Sequence, residues 1–346
     1  MRTPFILKSL CLLVAVFLFG GARVEATINY SVTFNDPGNV YAAYYAGISS
    51  NLQAAGAYWA EFLSGNGNIE ISVEFTNSIA GIDGASFTNG FVRNDGTRNI
   101  YEQGAAYEIR TGIDPNGASA DVRIRINPSY LANTLWLDPN PTTRTDPIPA
   151  NHLDGVSLFI HELGHAYAYS GWINGSTGQL PPDYMSTFDE HVYFDGSNSF
   201  FTGAAAQAEY GAPVPLTYGN PGHLGNNSPR PGSDLLNDLM NGVVYYYQTR
   251  YTITRLDRAI VKDCGVAISV DSPVMQVSSV SRGTNGHFVV QGNAIPSRFH
   301  TLKATNDLRQ SFLKIGTASS DVTGNFQYDD PGATGLAHRF YQVVYP

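Results

Sequence analysis

Hydrophobic residues recur at spacings of three and four near the middle of the chain, between Leu153 and Tyr167. This is the period of a helix with one face in a core, and its apolar positions are Leu153, Val156, Ile160, Leu163 and Tyr167. The helical pattern stops by Gly171. Asn151 or Asp154 would cap the amino end, because a side-chain oxygen there accepts a hydrogen bond from a free backbone N–H group. The pattern therefore predicts a buried helix.

The stretch before this helix alternates between strand and helix patterns. A two-residue apolar period predicts strands at Ile28–Phe34, Ile69–Phe75 and Ala120–Asn127. A helical period predicts a helix over Val40–Phe62, between the first two strands. The connection before the third strand is polar and glycine-rich, and residues 128–149 are predicted to be irregular. This order of elements is typical of an α/β (α+β) domain.

The stretch after the buried helix has no sustained period from Trp172 to Pro231 and is rich in Gly, Pro, Asn, Ser and aromatic residues. So long an irregular stretch in a compact domain is usually functional. It is followed by a predicted tight turn at Asp234–Gly242. A second helix then runs from Ile253 to Val261 and stops at Gly265, a residue suited to the left-handed position after a helix.

The last part of the chain has a different hydrophobic pattern. Six short segments alternate between apolar and polar residues and are separated by turn residues. They are Met275–Val280, His287–Gln291, Thr301–Ala304, Phe312–Thr317, Asn325–Tyr328 and Arg339–Val344. Asn285-Gly286 predicts a two-residue hairpin turn between the first two. Regular short strands predict an all-β sandwich over 271–346, after a first folded domain at 27–270. This tail resembles the β-rich tails of many secreted bacterial proteins, which implies a part in secretion, anchoring or substrate attachment.

The first 26 residues have the pattern of a secretory signal peptide. Arg2 and Lys8 give a positive start, and an unbroken apolar run follows from Leu10 to Phe19. Small residues up to Ala26 suit cleavage after that position. The run is too short to cross a bilayer, and no later stretch approaches the roughly 20 apolar residues that a membrane helix needs. We therefore expect a secreted, extracellular protein without a membrane span.

Charge argues against nucleic-acid binding, and cysteine usage argues against an intramolecular disulfide. The chain carries 20 Lys and Arg against 29 Asp and Glu, a net charge of −9, and has no basic cluster. This balance argues against nucleic acid as a partner. Cys11 leaves with the predicted signal peptide, so Cys264 is alone and forms no intramolecular disulfide. Because Cys264 is far in sequence from any pro-region, we also expect no cysteine-based inhibitory switch.

The buried helix carries His161-Glu162-Leu163-Gly164-His165, a His-Glu-x-x-His pattern. Residues at i and i+4 project from the same side of a helix, so both imidazoles can reach one cation at roughly 2.0 to 2.1 Å. Zinc in such a site lowers the pKa of its water towards about 7, and a neighbouring carboxylate can take the proton. The pattern predicts one catalytic Zn²⁺ bound by His161 and His165, with Glu162 as general base.

Several residues compete for the place of the third ligand. The potential ligands in the irregular stretch are Asp189, Glu190, His191, Glu209 and His223. Glu190 and His191 stand in Thr187–Phe194, which reads as a strand and shows no helical face from which a glutamate could reach a metal. His223 is flanked by glycines that let the backbone approach a metal, and we predict that it is the ligand.

The order of these parts resembles the metzincin clan of zinc endopeptidases, and within it the leishmanolysin-like and related bacterial secreted peptidases. The matching residues are His161–His165, a distant His223, Leu239-Met240 in a turn, and the closing helix Thr254–Gly265. The resemblance covers about residues 28–269 and implies a zincin-like fold with a twisted mixed sheet and an active-site helix. The zinc ligands that it implies are His161, His165 and His223, and the general base is Glu162.

The resemblance also implies roles for residues around the metal. Met240 would lie beneath the metal, and Ala120–Asn127 would be the edge strand that pairs with protein or peptide substrates. Most metzincins carry glycine three residues after the second histidine and the third ligand three residues later, but Ala168 and Gly171 stand there. This excludes a site in which the third ligand follows the second histidine after a short loop. The long span from Gly171 to His223 has the character of the insertion that leishmanolysin-like enzymes place before their third histidine.

The resemblance thus implies a secreted zinc-dependent endopeptidase. The alternative is a catalytically silent binding or adhesion protein with a relic peptidase domain, in which the β tail is the working part. Two further features stay open. One of Tyr245, Tyr246 and Tyr247 would assist catalysis, and Asp195–Ser199 would hold Ca²⁺, although it lacks the spaced acids of a recognised calcium loop.

Overall fold

The computed structural model describes residues 27–268, 275–294, 299–321, 324–336 and 338–344. The predicted signal peptide at 1–26 and the predicted domain boundary between residues 270 and 271 lie outside these ranges. The α-helices are α1 (Tyr45–Ala60), α2 (Gly104–Thr111), α3 (Pro128–Asn133), α4 (Gly155–Tyr167), α5 (Ala204–Tyr210) and α6 (Arg255–Asp263). The strands of the first part are β1 (Thr27–Asn35), β2 (Asn66–Phe75), β3 (Ile82–Ser86), β4 (Asn89–Asn94), β5 (Asn99–Gln103), β6 (Val122–Ile126), β7 (Leu135–Trp136), β8 (Leu153–Asp154), β9 (Tyr184–Ser186), β10 (Val192–Phe194), β11 (Ser199–Phe201) and β12 (Val214–Pro215).

The largest sheet has four strands in the order β1-β2-β6-β3. Strands β1, β2 and β6 run parallel, and β3 pairs antiparallel with β6 at the edge. Helices α1 and α4 pack against this sheet and against each other around a shared hydrophobic core. Trp59 ties the two helices, because its indole N–H donates to the Ile160 carbonyl at 2.8 Å and its ring meets Tyr167 edge to face. The result is a mixed α and β structure with several sheets and few helices, as an α+β reading expects.

The edge strand of this sheet is not the one that the sequence suggested. Ala120–Asn127 was predicted to lie at the edge, but β6 lies inside the sheet, between β2 and β3. Strand β3 occupies the edge instead. Its sequence, Ile82-Asp83-Gly84-Ala85-Ser86, has one large apolar residue and no alternation. Its extended form therefore depends on pairing with β6, which a short-range pattern does not reveal.

Three stretches for which the sequence predicted no regular element contain helices or strands. The glycine-rich connection after Phe75 holds β3, β4, β5 and α2, and residues 128–149 hold α3 and β7. Helix α3 had a readable signal. Pro128 is its first residue, and the Asn127 side chain accepts hydrogen bonds from the backbone N–H groups of Ser129 at 2.8 Å and Tyr130 at 3.1 Å. The irregular stretch after α4 likewise contains α5 and four short strands.

The predicted helix limits are close to the observed ones. Helix α1 starts at Tyr45, after a 3-10 turn at Ala42–Tyr44, rather than at Val40. Asp154 caps α4, since its carboxylate accepts from the Ser157 N–H at 3.0 Å; Asn151 is not the cap. Helix α6 begins after a capping box formed by Thr254 and Asp257. No helix of the described residues is long and apolar enough to cross a membrane.

The six predicted strands of the tail are all present. They are β13 (Gln276–Arg282), β14 (Phe288–Asn293), β15 (Phe299–Thr305), β16 (Leu313–Ser319), β17 (Asn325–Asp330) and β18 (Phe340–Val344). They form two three-stranded antiparallel sheets, β13-β14-β17 and β16-β15-β18. Side chains from both sheets meet in one small hydrophobic cluster that includes Val290, Leu302 and Phe326. Two packed sheets of this kind are the arrangement of a β-sandwich.

The hairpin between β13 and β14 differs from the predicted two-residue turn. Gly283 and His287 still pair across the hairpin, so the loop has three residues. The Gly286 N–H donates to the Gly283 carbonyl at 3.0 Å, and Gly286 has φ of 82°. A turn followed by a left-handed glycine is the usual three-residue alternative. His300 is buried, and His287 pairs with Asp329 at the surface, and neither belongs to a group of three or more possible metal ligands among the described residues.

Candidate metal centre

Helix α4 places its two histidines one turn apart and is fixed firmly at its amino end. Arg144 contacts the Asp154 carboxylate at 2.5 Å and the Ser157 hydroxyl at 2.8 Å, and all three side chains are buried. The Ser157 hydroxyl also accepts from the Tyr251 N–H at 2.7 Å. These contacts satisfy the polar groups of the helix cap. They also join the helix to the chain beyond the turn at Asp234–Gly242. The register of the His-Glu-x-x-His pattern is therefore set by buried polar groups as well as by apolar packing.

Three imidazole nitrogens converge at the carboxyl half of this helix. The Nε2 atom of His165 lies 3.1 Å from Nε2 of His161 and 3.1 Å from Nε2 of His223, and the His161–His223 separation is 3.2 Å. Three donors around a tetrahedral Zn²⁺ at about 2.05 Å are about 3.3 Å apart. The triangle of nitrogens is therefore of the size that one zinc ion requires.

Hydrogen bonds on the far side of two rings fix which nitrogen carries the proton. Nδ1 of His161 lies 2.8 Å from the Leu239 carbonyl, and Nδ1 of His165 lies 2.7 Å from the Tyr169 carbonyl. A carbonyl oxygen only accepts, so both Nδ1 atoms donate and both Nε2 atoms present lone pairs to the centre. Nδ1 of His223 is buried and has no hydrogen-bond partner among the described residues.

Burial keeps the three rings neutral. It lowers the pKa of His161 to about 3, with His165 as a second cause, and it lowers the pKa of His165. Burial, followed by the two neighbouring histidines, lowers the pKa of His223 well below its usual value. Neutral imidazole is the form that binds metals. The Nε2 lone pairs of His161 and His165, 3.1 Å apart, repel each other unless a cation or a proton lies between them, and Nε2 of His223 is close to both, so these residues fit a zinc ion.

Glu162 lies under the edge strand β3. The side chain is buried, which raises its pKa well above the usual value; the Asp83 carboxylate raises it further, and a hydrogen bond from the Gly84 backbone opposes the rise. A Cβ atom at Gly84 would lie 2.6 Å from the Cβ atom of Glu162. Only glycine therefore lets β3 pass this close to the acidic side chain, and sequence reasoning missed both Asp83 and Gly84.

The turn that carries Met240, which was predicted to lie beneath the metal, packs directly against α4. Met240 is fully buried, and a Cβ atom at Gly164 would lie 2.7 Å from its Sδ atom. The Leu224 N–H donates to the Met240 carbonyl at 2.8 Å, and the Thr217 N–H donates to the His223 carbonyl at 2.8 Å. Backbone bonds thus hold the His223 loop against the methionine turn, which explains how a residue far along the chain reaches the two helix histidines.

A cleft of about 510 Å³ opens over these groups. The three histidines and Glu162 line it, β3 contributes Ile82–Gly84 along one side, and residues 219–223 contribute another. Tyr169, Ile173 and Phe188 also line it. The cleft therefore combines a polar centre with one edge of the sheet.

The other potential ligands have different partners. The Asp189 carboxylate accepts from the N–H groups of Trp172 at 2.8 Å and Ser186 at 3.0 Å. Glu190 pairs with Arg93, and Glu209 pairs with Arg255 at 2.9 Å. His191 donates from Nε2 to the Asp263 carbonyl at 2.8 Å. Within the described part of the chain, His223 alone of the predicted alternatives joins His161 and His165.

Three tyrosines after the methionine turn and the acid at Asp195 were left without an assigned role by the sequence. The Tyr245 hydroxyl donates to the Leu239 carbonyl and lies 2.9 Å from Nδ1 of His161, so it contacts the His161 ring on the side away from Nε2. Tyr246 and Tyr247 are exposed. Asp195 accepts from the N–H groups of Ser197 and Asn198 in a hairpin turn, so its side chain serves the turn.

Comparison of the chain with protein families, with curated proteins and with solved structures found no match.

Proposed function

We propose that this chain is a secreted zinc-dependent endopeptidase with a zincin-like catalytic domain of the metzincin type. The observation that carries the proposal is the convergence of three neutral Nε2 atoms within 3.2 Å of one another, at the floor of an open cleft beside Glu162. His161, His165 and His223 would hold the ion. Bound zinc supplies Lewis acidity, which acidifies water and polarises a carbonyl group.

The proton chemistry belongs to Glu162. Its position beside His161 and His165 brings its side chain to the same cleft, within reach of a water bound at the metal. It accepts the proton of the attacking water and returns it to the departing amine nitrogen. The Gly84 backbone hydrogen bond orients the carboxylate for both transfers.

The edge strand positions the substrate. One side of β3 pairs with β6, and its other side has no strand neighbour in the sheet formed by the described residues. An extended peptide can add to such an edge by main-chain hydrogen bonds, which gives affinity without dictating side chains. Because Ile82–Gly84 line the cleft, a peptide added there passes over Glu162 and the three histidines. An extended polypeptide is the substrate class that this arrangement suits.

Hydrolysis of unfolded casein tests the proposal. The mature protein should cleave casein at internal bonds, lose activity with the zinc chelator 1,10-phenanthroline, and regain it when Zn²⁺ is restored. Stable adhesion to a surface without cleavage would favour the silent binding protein, in which the β tail would be the working part. Cleavage that the chelator leaves unchanged would contradict the metal-dependent mechanism.

A further inference from the structure

A second group of possible ligands lies away from the three histidines. Glu70 on β2, Glu108 on α2 and Asp121 just before β6 each offer a carboxylate oxygen, and these three atoms lie within 4.8 Å of one another. Glu108 is 5% exposed and Asp121 is 0% exposed. None of the ion pairs between described residues gives these three carboxylates a Lys or Arg partner. The cluster therefore concentrates acidic groups that have no Lys or Arg partner among the described residues.

Two of these carboxylates are only half satisfied. Oε1 of Glu108 accepts from the Asn68 N–H at 2.7 Å, and Oδ2 of Asp121 accepts from the Glu70 N–H at 2.9 Å. The second oxygens, Oε2 of Glu108 and Oδ1 of Asp121, are buried, and among the described residues only the other carboxyl groups of this cluster come within hydrogen-bonding reach of them. A buried, unpaired carboxylate oxygen is costly, so a native structure normally supplies a donor or a cation to it.

A neighbouring loop supplies another unsatisfied oxygen. The Asn116 amide nitrogen donates to the Ala120 carbonyl at 3.1 Å, beside Asp121 in the chain, while its Oδ1 atom is buried without a partner. Burial, followed by the Glu70 and Asp114 carboxylates, raises the pKa of Asp121 to about 7. This repulsion is the electrostatic condition that a bound cation relieves.

We propose that Glu70, Glu108 and Asp121 bind a calcium ion. The donors are all oxygens, which selects a hard cation over zinc, whose usual ligands are nitrogen and sulfur. Oxygens bound to Ca²⁺ at 2.3 to 2.6 Å can be up to about 5 Å apart, which accommodates the observed spread. This site is independent of the zinc centre and does not rest on the proposed peptidase activity.

The ion would join three elements near the cleft. The Asp121 N–H donates to the Glu70 carbonyl at 2.8 Å, and the Asp121 carbonyl accepts from the Phe87 N–H at 2.7 Å, immediately after β3. A cation on Asp121 therefore stabilises the start of β6 together with β2, α2 and the end of the edge strand. Calcium is expected to act on the stability of this part of the domain.

Thermal unfolding in metal-free buffer with added Ca²⁺ tests this site. Saturating Ca²⁺ should raise the Tm of the wild-type protein by roughly 3 °C or more, and Mg²⁺ at the same concentration by less. Glu70→Gln and Asp121→Asn should abolish the rise. Asp195→Asn, which alters the turn acid considered earlier, and His223→Ala, which alters the zinc centre, should both retain it.

Terbium luminescence gives a second readout that does not depend on the stability of a variant. Tb³⁺ replaces Ca²⁺ in oxygen sites and is sensitised by nearby aromatic rings, and the Tyr167 ring is close enough to feel the Asp121 charge. Wild-type protein should show Ca²⁺-displaceable emission that Glu70→Gln loses. An equal Ca²⁺ effect on the wild-type protein and both acidic-site variants, or no effect on the wild type, would overturn the proposal. Neither result would bear on casein cleavage.

Discussion

Nε2 of His223 lies 3.1 Å from Nε2 of His165, although 58 residues separate the two positions in the chain. The long segment between them returns to α4 because backbone hydrogen bonds pin the His223 loop to the Met240 turn. Two of the three proposed ligands are therefore set by helical spacing, and the third is set by tertiary structure. This division explains why the first pair is readable from local sequence while the third position needed a choice among alternatives.

Glu162→Gln should separate metal binding from proton transfer. The amide keeps the shape of the side chain and leaves all three imidazoles in place, but it cannot accept the proton. We expect close to one zinc per chain and a fall in kcat/KM on the order of 10² to 10⁴. Glu190→Gln makes the same chemical change at a glutamate paired with Arg93 and should leave turnover near normal. Near-normal activity of Glu162→Gln, or loss of its metal, would contradict the assigned role.

Gly84→Ala should impair catalysis through the position of the edge strand. The new Cβ atom would lie 2.6 Å from the Cβ atom of Glu162, so β3 or the acidic side chain must shift. We expect a loss of roughly tenfold or more in kcat/KM, with zinc content unchanged, because misplacement by about 1 Å is costly in catalysis. Gly81→Ala is the matched control, since its Cβ atom would meet the Tyr130 ring at an ordinary 3.6 Å. Equal activity of the two variants would argue against this role for β3.

Cys264→Ser should leave peptidase activity unchanged. The thiol is 1% exposed, and burial, with the Asp263 carboxylate as the next cause, raises its pKa well above the usual value. It therefore carries little thiolate, the form that reacts and binds metal. The measurement is casein hydrolysis by the variant and by wild type treated with a thiol-modifying reagent. Activation of the wild type by the reagent would reveal the cysteine switch that we do not expect.

The buried pair Asp238 and Asp257 should make stability fall as the pH rises. Burial raises both pKa values, and the Asp238 charge raises that of Asp257 further. The Thr254 hydroxyl contacts both carboxylates, and the Tyr169 hydroxyl donates to Asp257 at 3.0 Å. The folded state thus holds protons that the unfolded state releases near pH 4, and the stabilisation is lost as the pH rises through the raised pKa values.

Asp257→Asn tests this by fixing an uncharged side chain that can still accept from the Thr254 N–H. The Tm difference between pH 5 and pH 8 should be smaller in the variant than in the wild type. Asp195→Asn, at an exposed turn, should leave the wild-type difference unchanged. The assignment fails if Asp257→Asn and wild type lose stability in parallel over this range.

Local sequence patterns predicted the elements with strong periods or caps. Helix α4, the cap at Asp154, the first two strands and the six tail strands follow from apolar spacing and turn residues. Strand β3 could not be predicted in this way, because Gly84 and Ser86 have low strand propensity and the strand exists through its pairing with β6. Because β3 was not predicted, the edge of the sheet was wrongly assigned to β6.

The same limit applies to functional residues. His161, Glu162 and His165 share one helix and a short motif, so sequence places them together. Glu70, Glu108 and Asp121 come from three separate elements, and each resembles an ordinary surface acid until the fold brings them together and buries Glu108 and Asp121. Only the fold reveals that one oxygen of each buried residue has no donor from outside the cluster among the described residues.

Zinc content of His223→Ala tests the central claim most directly. His191→Ala and Glu190→Ala are the controls, because these side chains have other partners, the Asp263 carbonyl and Arg93. Purified wild type and both controls should carry close to one zinc per chain and cleave casein. His223→Ala, verified as folded by circular dichroism, should lose tight zinc binding and cleavage together. A folded His223→Ala protein that keeps its full zinc content would contradict the three-histidine centre.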